Sequence, residues 1–413
     1  MLQYQKSLNK LFYMVLGLPA TAMGFGLSIQ IAVLSWILST NFGLDIHEIG
    51  IVWAAGPLAG ILGQPIVGLI SDKVWFWGGR RRPFIIIGGV LTSIAVLALP
   101  NIDIINNFLG IGSLMGVAIA VALTLDLAIN ISFNPTRSII ADVTPEGTPR
   151  TKGYTWMQSI SNLFGSLAYL TGAIFGNYFL IYAGAVIILF FSIIPMFFIE
   201  EPKILETKED DVNPNTKTQW GELMKIYVAH AFSWLGVQTM FIYIIFFINQ
   251  KMNIVNDIQS GQVIGISFFI LNAVSFPLPA MVLEPLSRRF GRVRVHIGSL
   301  VIMAIGYFAI TFFARDAISL YLLMCLVCVG WAAIVSLPFA IMTENVDKSR
   351  MGFFMGIFNL SVVLPQLVSS FAIGFLIRYL DDTQSIFLIA GFSISISALL
   401  WLLVKEHIKE KLN

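Results

Sequence analysis

The chain has 413 residues, of which 57% are hydrophobic and 12% are charged, and its formal net charge is +2. About a quarter of the residues in a soluble globular protein are charged, so this composition excludes a soluble globular domain. The charge is nearly balanced and forms no basic tail or stripe, which argues against nucleic acid as a partner.

A transmembrane helix needs about 20 predominantly apolar residues. Apolar runs close to this length, bounded by charged residues, proline or asparagine, recur along the whole chain and are numbered here as predicted helices 1 to 12. In chain order they are Leu11–Leu38, Ile49–Ile70, Phe84–Leu99, Leu109–Ile140, Gly153–Ile174, Tyr178–Ile199, Glu222–Ile248, Val263–Val282, His296–Phe313, Ile318–Met342, Gly352–Ile377 and Ser385–Val404.

A hydrophilic segment, Glu200 to Thr218, divides the twelve runs into two sets of six. It contains six acidic residues together with Pro, Asn, Thr and Lys, a composition typical of a solvated linker. The sequence therefore predicts an all-α polytopic membrane protein, with six-helix bundles at residues 1–199 and 219–413 and a cytoplasmic linker at 200–218.

Basic residues predict the orientation, because Lys and Arg are concentrated in cytoplasmic loops. With the N-terminus inside, 21 of the 25 basic residues fall on the cytoplasmic side and three, Lys251, Arg315 and Arg378, fall outside. We therefore expect a multi-pass protein of the cell's inner (plasma) membrane with both termini in the cytoplasm.

Predicted helix 4 carries two ionisable residues within its apolar run, Asp126 and Arg137. A charged side chain at the centre of a membrane helix costs about 2.5 to 3.5 kcal/mol on insertion scales, so such residues are functional candidates. Eleven residues at 100° each return to within about 20° of the same face, and Asn130 and Phe133 fall on the same stripe. The alternative role for the pair is a structural ion pair with partners on other helices.

A charged motif follows predicted helix 2. Gly68 and Asp72 precede Gly79 and three consecutive arginines, Arg80, Arg81 and Arg82. The pattern resembles the loop motif of the major facilitator superfamily, with extra residues inserted between Lys73 and Gly79, and a weaker copy follows predicted helix 8 at Arg288–Arg292. It suggests a latch in which an acid at a helix end pairs with loop arginines in one conformation and releases them in another. Asp142, Glu284 and Glu344 are further gating candidates, or else ordinary solvated acids at helix ends.

A narrower resemblance rests on the same region. Trp53, Gly56-Pro57, Gln64-Pro65 and the run Arg80-Arg-Arg-Pro-Phe84-Ile85 resemble the sucrose transporter family of glycoside–proton symporters, and agreement continues through helices 1, 4, 8, 10 and 11. The resemblance implies a twelve-helix major facilitator fold that moves a disaccharide or glucoside together with protons. Between Trp234 and Tyr243, helix 7 lacks the acidic residues expected in a plant sucrose carrier, so sucrose and maltose both stay open. The short loops are more typical of a bacterial relative.

Within this resemblance, Asp126 and Arg137 are expected to couple the proton, and intramembrane amides to bind the sugar. Each amide has an alternative role as a hydrogen bond between helices. The predicted substrate-binding residues are Gln30, Asn130, Phe133, Gln158, Asn162, Gln238, Asn272 and Asn359.

Other functions fit the pattern less well. A sugar uniporter or a sodium-coupled carrier would use the same fold, whereas an intramembrane enzyme would need a nucleophile with a base, and a sensor would usually carry a soluble output domain. No pair of histidines has metal-ligand spacing. We expect a monomer surrounded by membrane lipid, with a small-molecule sugar and protons as ligands, no metal and no cofactor.

Overall fold

A computed structural model describes residues 3–145, 148–202, 219–252, 254–343, 351–380 and 382–405. Within these ranges the named secondary-structure elements are all helices, and one isolated β-bridge joins Phe76 to Gly79. The transmembrane helices, labelled α1 to α12 in chain order, are α1 Lys10–Thr40, α2 Ile46–Trp53 with Ala55–Lys73, α3 Arg82–Leu109, α4 Leu114–Val143, α5 Thr148–Phe175, α6 Asn177–Phe197, α7 Trp220–Lys251, α8 Asp257–Phe290, α9 Arg292–Phe313, α10 Ala317–Met342, α11 Met351–Val368 with Gly374–Leu380, and α12 Gln384–Trp401.

The prediction of twelve helices is confirmed. Ten helical segments of the described chain are long and apolar enough to cross a membrane by themselves. The other two are α2, which is interrupted at Ala54, and α5, which carries more polar residues along its 28 positions.

Several predicted bounds are wrong, because Pro and Gly do not stop these helices where the sequence pattern suggested. Helix α3 passes Pro100 through a 3₁₀ turn and ends at Gly110, whose φ of 62° is left-handed. Helix α8 continues past Pro279 through a π turn at Pro279–Leu283, so the arginines at 288 and 289 lie on a helix and not in a loop.

The described chain forms two compact units. Unit 1 comprises Met1–Lys208 with Asn256–Ile266, and unit 2 comprises Glu209–Val255 with Ser267–Asn413. The first turns of α8 therefore group with unit 1. Most of the predicted linker, residues 203–218, lies outside the described residues, so the linker and its boundaries stay a prediction.

Unit 1 is held together by close helix contacts at small residues. Adjacent glycines on α3 face two different helices. A Cβ atom on Gly88 would lie 2.3 Å from Ser132 Oγ of α4, and one on Gly89 would lie 2.1 Å from Ser192 Cβ of α6. Small residues allow membrane helices to approach closely, where van der Waals packing replaces the hydrophobic effect. A cluster of buried side chains from α1, α3, α4, α5 and α6, including Phe12 and Ile139, fills the space next to one end of these helices.

Unit 2 uses the same device and adds two π turns. Gly236 of α7 packs on the backbone of α12, with its Cβ position 2.8 Å from Ala390 O. The second π turn, Ser369–Ile373 in α11, frees backbone carbonyls, and the hydroxyl of Tyr243 on α7 donates to two of them, at 2.9 Å for Ser369 O and 3.3 Å for Ser370 O. Turns of this type are frequent at functional positions of helices.

The contact at Gly88 predicts a stability effect with a defined sign. Gly88→Ala would place a methyl group against Ser132 Oγ and 2.8 Å from the backbone oxygen of Ala128, and such overpacking costs about 1–3 kcal/mol. We expect a lower thermal unfolding midpoint in detergent. Gly298→Ala on α9 is the matched control, because no atom lies within 4 Å of its Cβ position, and Ala replaces Gly in a helix with a gain of about 0.5–1 kcal/mol. Equal midpoints for the two variants would contradict the packing.

Candidate functional site

A buried carboxylate lies inside unit 1. Asp126 on α4 is 7% exposed, and its Oδ2 accepts a hydrogen bond of 2.9 Å from Nε2 of Gln30 on α1. No ion pair joins its carboxylate to a basic side chain among the described residues. The predicted coupling residue is thus placed next to one predicted sugar-binding amide, and the described part of the chain gives it no balancing charge.

Helix α2 approaches this carboxylate through glycines. A Cβ atom at Gly56 would lie 3.2 Å from Asp126 Oδ2, and one at Gly63 would lie 3.2 Å from Asn130 Cβ. The two glycines are seven residues apart and so share one face of α2. Asn130 is 8% exposed and donates from Nδ2 to the backbone oxygen of Asp126 at 2.8 Å. Asp126, Asn130 and Gln30 therefore form one compact polar site, the Asp126 site.

Arg137 does not join the Asp126 site in this conformation. Its guanidinium carbon lies 4.1 Å from the centroid of the Phe133 ring, a cation–π contact within its own helix, and its side chain is exposed. The backbone oxygen of Arg137 accepts a hydrogen bond of 3.2 Å from the Tyr154 hydroxyl of α5. The predicted stripe on α4 therefore divides into a buried pair, Asp126 and Asn130, and a separate pair, Phe133 and Arg137.

The loop before α3 forms a second charged site. Arg81 Nε lies 3.0 Å from Asp142 Oδ2, and the side chains of both residues are less than a tenth exposed. Arg81 Nη1 also donates to Ser71 Oγ of α2 at 2.8 Å. Two of the predicted gating residues are therefore in contact, and one guanidinium connects α2 to the end of α4.

Glu201, which the sequence interpretation assigned to a solvated linker, is part of this site. Its carboxylate accepts three backbone hydrogen bonds, of 2.8 Å from Arg80, 2.8 Å from Arg81 and 2.7 Å from Arg82. A Cβ atom at Gly79 would lie 2.3 Å from Glu201 Oε1, so a larger residue there would displace this carboxylate. An acid at a helix N-terminus is favoured by the unpaired N–H groups and by the helix dipole.

One sequence signal could have indicated this acid. Helix α3 begins after Arg81, and no Ser, Thr, Asp or Asn stands at its N-cap position to accept its free N–H groups. Such groups need an acceptor when they are buried, so an acid from elsewhere in the chain was required. The sequence could not show which acid supplies it.

The other gating candidates differ from one another. Arg80 Nη2 donates to the backbone oxygen of Pro202 at 3.3 Å, and the Arg82 guanidinium lies 5.6 Å from the Phe197 ring centroid. Glu284 pairs with Arg288 one turn later on α8, and both are exposed, which corresponds to a surface pair of about 0.3–0.5 kcal/mol. The side chain of Asp72 and the whole of Glu344 lie outside the described residues.

Unit 2 contains an aromatic cluster with a pair of amides beside it. The Trp331 ring of α10 makes edge contacts with Trp234 and Phe241 of α7, at centroid distances of 5.9 Å and 5.5 Å. His230, one turn before Trp234, accepts a hydrogen bond of 2.9 Å from the indole N–H of Trp234 and stacks on another ring of the cluster.

A pair of amides lies beside this cluster. Gln238, one turn after Trp234, accepts a hydrogen bond of 3.2 Å from Gln366 Nε2 of α11. Of these residues, sequence reasoning predicted only Gln238 as a binding residue and missed Trp331, Gln366 and the stacking of His230.

The remaining predicted amides have local partners or are partly buried. Gln158 Nε2 donates to Asn162 Oδ1 one turn later on α5 at 2.9 Å. Asn272 donates to the backbone oxygen of Phe268 on its own helix at 2.9 Å, and Asn359 is partly buried on α11. The described residues contain no group of three or more side chains able to hold a metal ion.

Comparison with known proteins identifies the family. The model of the Major Facilitator Superfamily matches residues 17–282 and 259–413, which together span nearly the whole chain. The chain belongs to the major facilitator superfamily. It is therefore a multi-pass membrane transporter and not an enzyme, and the predicted fold class is confirmed.

The curated relatives agree with the resemblance found in the sequence. The sucrose transport protein SUT2 of Oryza sativa subsp. indica is 25% identical over 430 residues, covering 86% of this chain and 84% of that protein. The sucrose transport protein SUC4 of Arabidopsis thaliana is 24% identical over 421 residues, covering 86% and 82%. The general alpha-glucoside permease of Schizosaccharomyces pombe is 30% identical over 138 residues, which are 32% of this chain and 25% of that protein.

Solved structures share the fold at low sequence identity. The xylose transporter XylE from E. coli, in an inward open conformation, has a TM-score of 0.74 at 15% identity and covers 97% of each chain. The nucleoside transporter NupG has a TM-score of 0.72 at 11% identity, covering 96% of this chain and all of that one. The twelve-helix architecture is thus common to transporters with different substrates.

The contacts of Arg81 predict a difference between adjacent arginines. Arg81→Lys keeps the charge, but a single ammonium group cannot reproduce the fork that contacts both Asp142 and Ser71. We expect a loss of about 1–3 kcal/mol, seen as a lower thermal unfolding midpoint.

Arg82→Lys is the matched control for this variant. Its contact with Glu201 comes from the backbone N–H, which any side chain retains. An equal fall in the midpoint of Arg82→Lys and Arg81→Lys would contradict the contacts assigned to the two side chains.

Proposed function

We propose that this chain is a proton-coupled symporter of a disaccharide or glucoside, sucrose or maltose first, that works by alternating access. The observation that carries the proposal is the Asp126 site, a buried carboxylate held by one amide and without a basic partner among the described residues. The names of the relatives, sucrose transport proteins and an alpha-glucoside permease, support the substrate class.

The chemistry of the Asp126 site suits reversible binding of a proton. A buried carboxylate is costly to keep charged, whereas a protonated carboxyl group is neutral and can donate one hydrogen bond. In the proposed cycle, Asp126 accepts a proton and donates to a sugar hydroxyl, assisted by Asn130. The loaded carrier then changes conformation without a net charge at this position.

Arg137 supplies the proposed release step. A cation that approaches a carboxylate favours its ionised form. In the described conformation the guanidinium rests on the Phe133 ring, so a change of side-chain conformation or of the helix near Pro135 would be needed to bring it towards Asp126. That approach would expel the proton and weaken the hydrogen bond to the sugar.

The aromatic and amide groups of unit 2 are the proposed sugar-binding groups on that unit. Amides offer both donors and acceptors to hydroxyl groups, and aromatic rings can pack against apolar surfaces of a ligand. Gln238 and Gln366 form one hydrogen bond with each other, at 3.2 Å, which is the long end of the normal range. In the proposed complex a sugar hydroxyl group replaces it. In unit 1, Gln30 and Asn130 have the corresponding role.

The charge distribution supports the proposed orientation of the protein and the proposed membrane in which it resides. With 21 basic residues on one side and three on the other, we propose that both termini face the cytoplasm of the cell and that the protein resides in the plasma membrane. A monomer suffices for this mechanism, because each proposed site is built within one chain.

Reconstituted vesicles test the whole proposal. With purified full-length protein, we expect concentrative uptake of sucrose or maltose under an imposed pH gradient, and little under a sodium gradient. Uptake that only equilibrates the sugar would point to a uniporter, and concentration driven by sodium alone would identify a sodium-coupled carrier. Either result would overturn the proton-coupled assignment.

The Asp126 site predicts a separation of coupling from exchange. Asp126→Asn cannot bind the proton, but its amide has the shape of a protonated carboxyl group and, like it, offers one acceptor oxygen and a donor. The variant should therefore lose gradient-driven accumulation and retain some sugar exchange between the vesicle interior and exterior. Arg137→Ala should slow sugar release more than it weakens binding. Asp103→Asn, the same change at an exposed acid of α3, is the control and should behave as the parent protein. If Asp126→Asn still concentrates sugar in response to the pH gradient, the proton is carried by another residue.

The amide pair of unit 2 predicts a change in affinity. Gln238→Ala or Gln366→Ala removes a hydrogen-bonding group, which is worth about 1 kcal/mol, so the KM for the sugar should rise about five-fold with a smaller change in maximal rate. Asn101→Ala removes an amide that donates to the backbone oxygen of Leu97 at the 3₁₀ turn of α3, and it serves as the control. An unchanged KM in both glutamine variants would place the sugar elsewhere.

A further inference from the structure

A groove on the surface of unit 2 lies outside both charged sites. It has a volume of about 570 Å³ and is lined by residues from the end of α8, from α9 and from α10. Its walls are almost entirely apolar and include Val282, Leu286, Phe290, Ile302 and Val329. The first four of these side chains are between 39% and 47% exposed, so the groove opens to the surroundings of the protein.

The groove is produced by two departures from regular packing. The π turn at Pro279–Leu283 interrupts the regular α-helix of α8 directly before the groove, and Val282 and Leu283 of this turn form part of its wall. On the α9 side, Gly298 leaves a gap, because no atom lies within 4 Å of its Cβ position. A side chain at Gly298 would occupy space that is open in the structure.

One end of the groove is strongly basic. Arg294 is part of the lining and is exposed. The guanidinium of Arg289 lies 5.1 Å from the ring centroid of Phe290, which also lines the groove, and Arg289 is exposed as well. Residues 284–294 contain four arginines and a single acid, Glu284, which already pairs with Arg288 at 2.5 Å. The net charge beside the apolar walls is therefore positive.

These features select one kind of ligand. A groove whose walls are almost entirely apolar cannot satisfy the hydroxyl groups of a sugar, whereas it matches a hydrocarbon chain. Guanidinium groups bind phosphate through paired hydrogen bonds, and basic pockets between transmembrane helices bind anionic lipid head groups. In a membrane protein, a groove that opens to its surroundings beside helix ends meets lipid directly.

We propose that this groove binds an anionic phospholipid, with one acyl chain between α8, α9 and α10 and the phosphate held by Arg289 and Arg294. The arginines lie on the side that the basic residues assign to the cytoplasm, so the lipid belongs to that leaflet. A ligand that binds the folded state stabilises it, so the charge of the bilayer is coupled to the packing of α8 against α9 and α10.

Lipid titration of the purified full-length protein in a neutral detergent tests this site. Thermal unfolding midpoints are measured against increasing phosphatidylglycerol or phosphatidylcholine with the same acyl chains, and native mass spectrometry counts retained lipid. We expect phosphatidylglycerol to stabilise the protein saturably and at lower concentration than phosphatidylcholine. Arg289→Ala and Arg294→Ala should each raise the half-saturating concentration of phosphatidylglycerol about five-fold. Gly298→Phe should abolish saturable stabilisation by filling the groove.

Two controls separate the groove from general effects of substitution. Gly221→Phe adds the same side chain to another helical glycine with open space at its Cβ position. Arg315→Ala removes an exposed arginine that follows the other end of α9. Both should respond to phosphatidylglycerol as the parent protein does. The proposal is overturned if the two lipids stabilise equally, if the control variants lose the response as well, or if inorganic phosphate alone gives the full stabilisation. Because the readout is lipid binding, its failure leaves the transport assignment unaffected.

Discussion

A buried acid without a basic partner among the described residues is the constraint around which unit 1 is arranged. Asp126 has to be either protonated or hydrogen-bonded, because a carboxylate in a low-dielectric interior is costly when it is charged and unpaired. The structure provides one amide, from Gln30 at 2.9 Å, and brings α2 close enough at Gly56 to keep the site narrow. A single incoming proton or hydroxyl group can therefore change the free energy of this site substantially.

The charged site at the start of α3 satisfies the same constraint in a different way. Here the acids are paired, since Asp142 meets the Arg81 guanidinium and Glu201 meets three backbone N–H groups. Removing either acid would leave buried donors without acceptors, so the contacts hold α2, α3, α4 and the end of unit 1 in one arrangement. The contact between Arg81 and Asp142 can act as a latch only if another conformation supplies replacement partners for both groups. The other loop arginines, Arg80 and Arg82, are the candidates to replace Arg81 beside Asp142.

Unit 2 is built from aromatic contacts and interrupted helices more than from charges. The π turn at Ser369–Ile373 is supported by the Tyr243 hydroxyl, and the π turn at Pro279–Leu283 leaves a groove instead. The same local irregularity is thus satisfied internally in one helix and opens a surface for a lipid chain in the other. The turn in α11 depends on a hydroxyl group of α7 and the turn in α8 borders the groove, so both are positions where a ligand or lipid can alter the packing of the unit.

The sequence by itself determined the membrane-spanning class and the twelve helices, because apolar length and charge bias are local properties, and its motifs indicated the family. The same kind of local pattern made Asp126 a candidate, because an ionisable residue within an apolar run is visible without a structure. It also brought Arg81 and Asp142 to attention, though not their contact. Only the tertiary structure decided that Arg137 packs on Phe133 and that Glu201 accepts hydrogen bonds at the start of α3. It also decided that α8 continues through Pro279 and that an apolar groove with a basic end forms beside α9. Glu201 and the N–H groups it binds are 119 to 121 positions apart, and a pairing over that distance is set by how whole helices pack, which no local pattern of residues encodes.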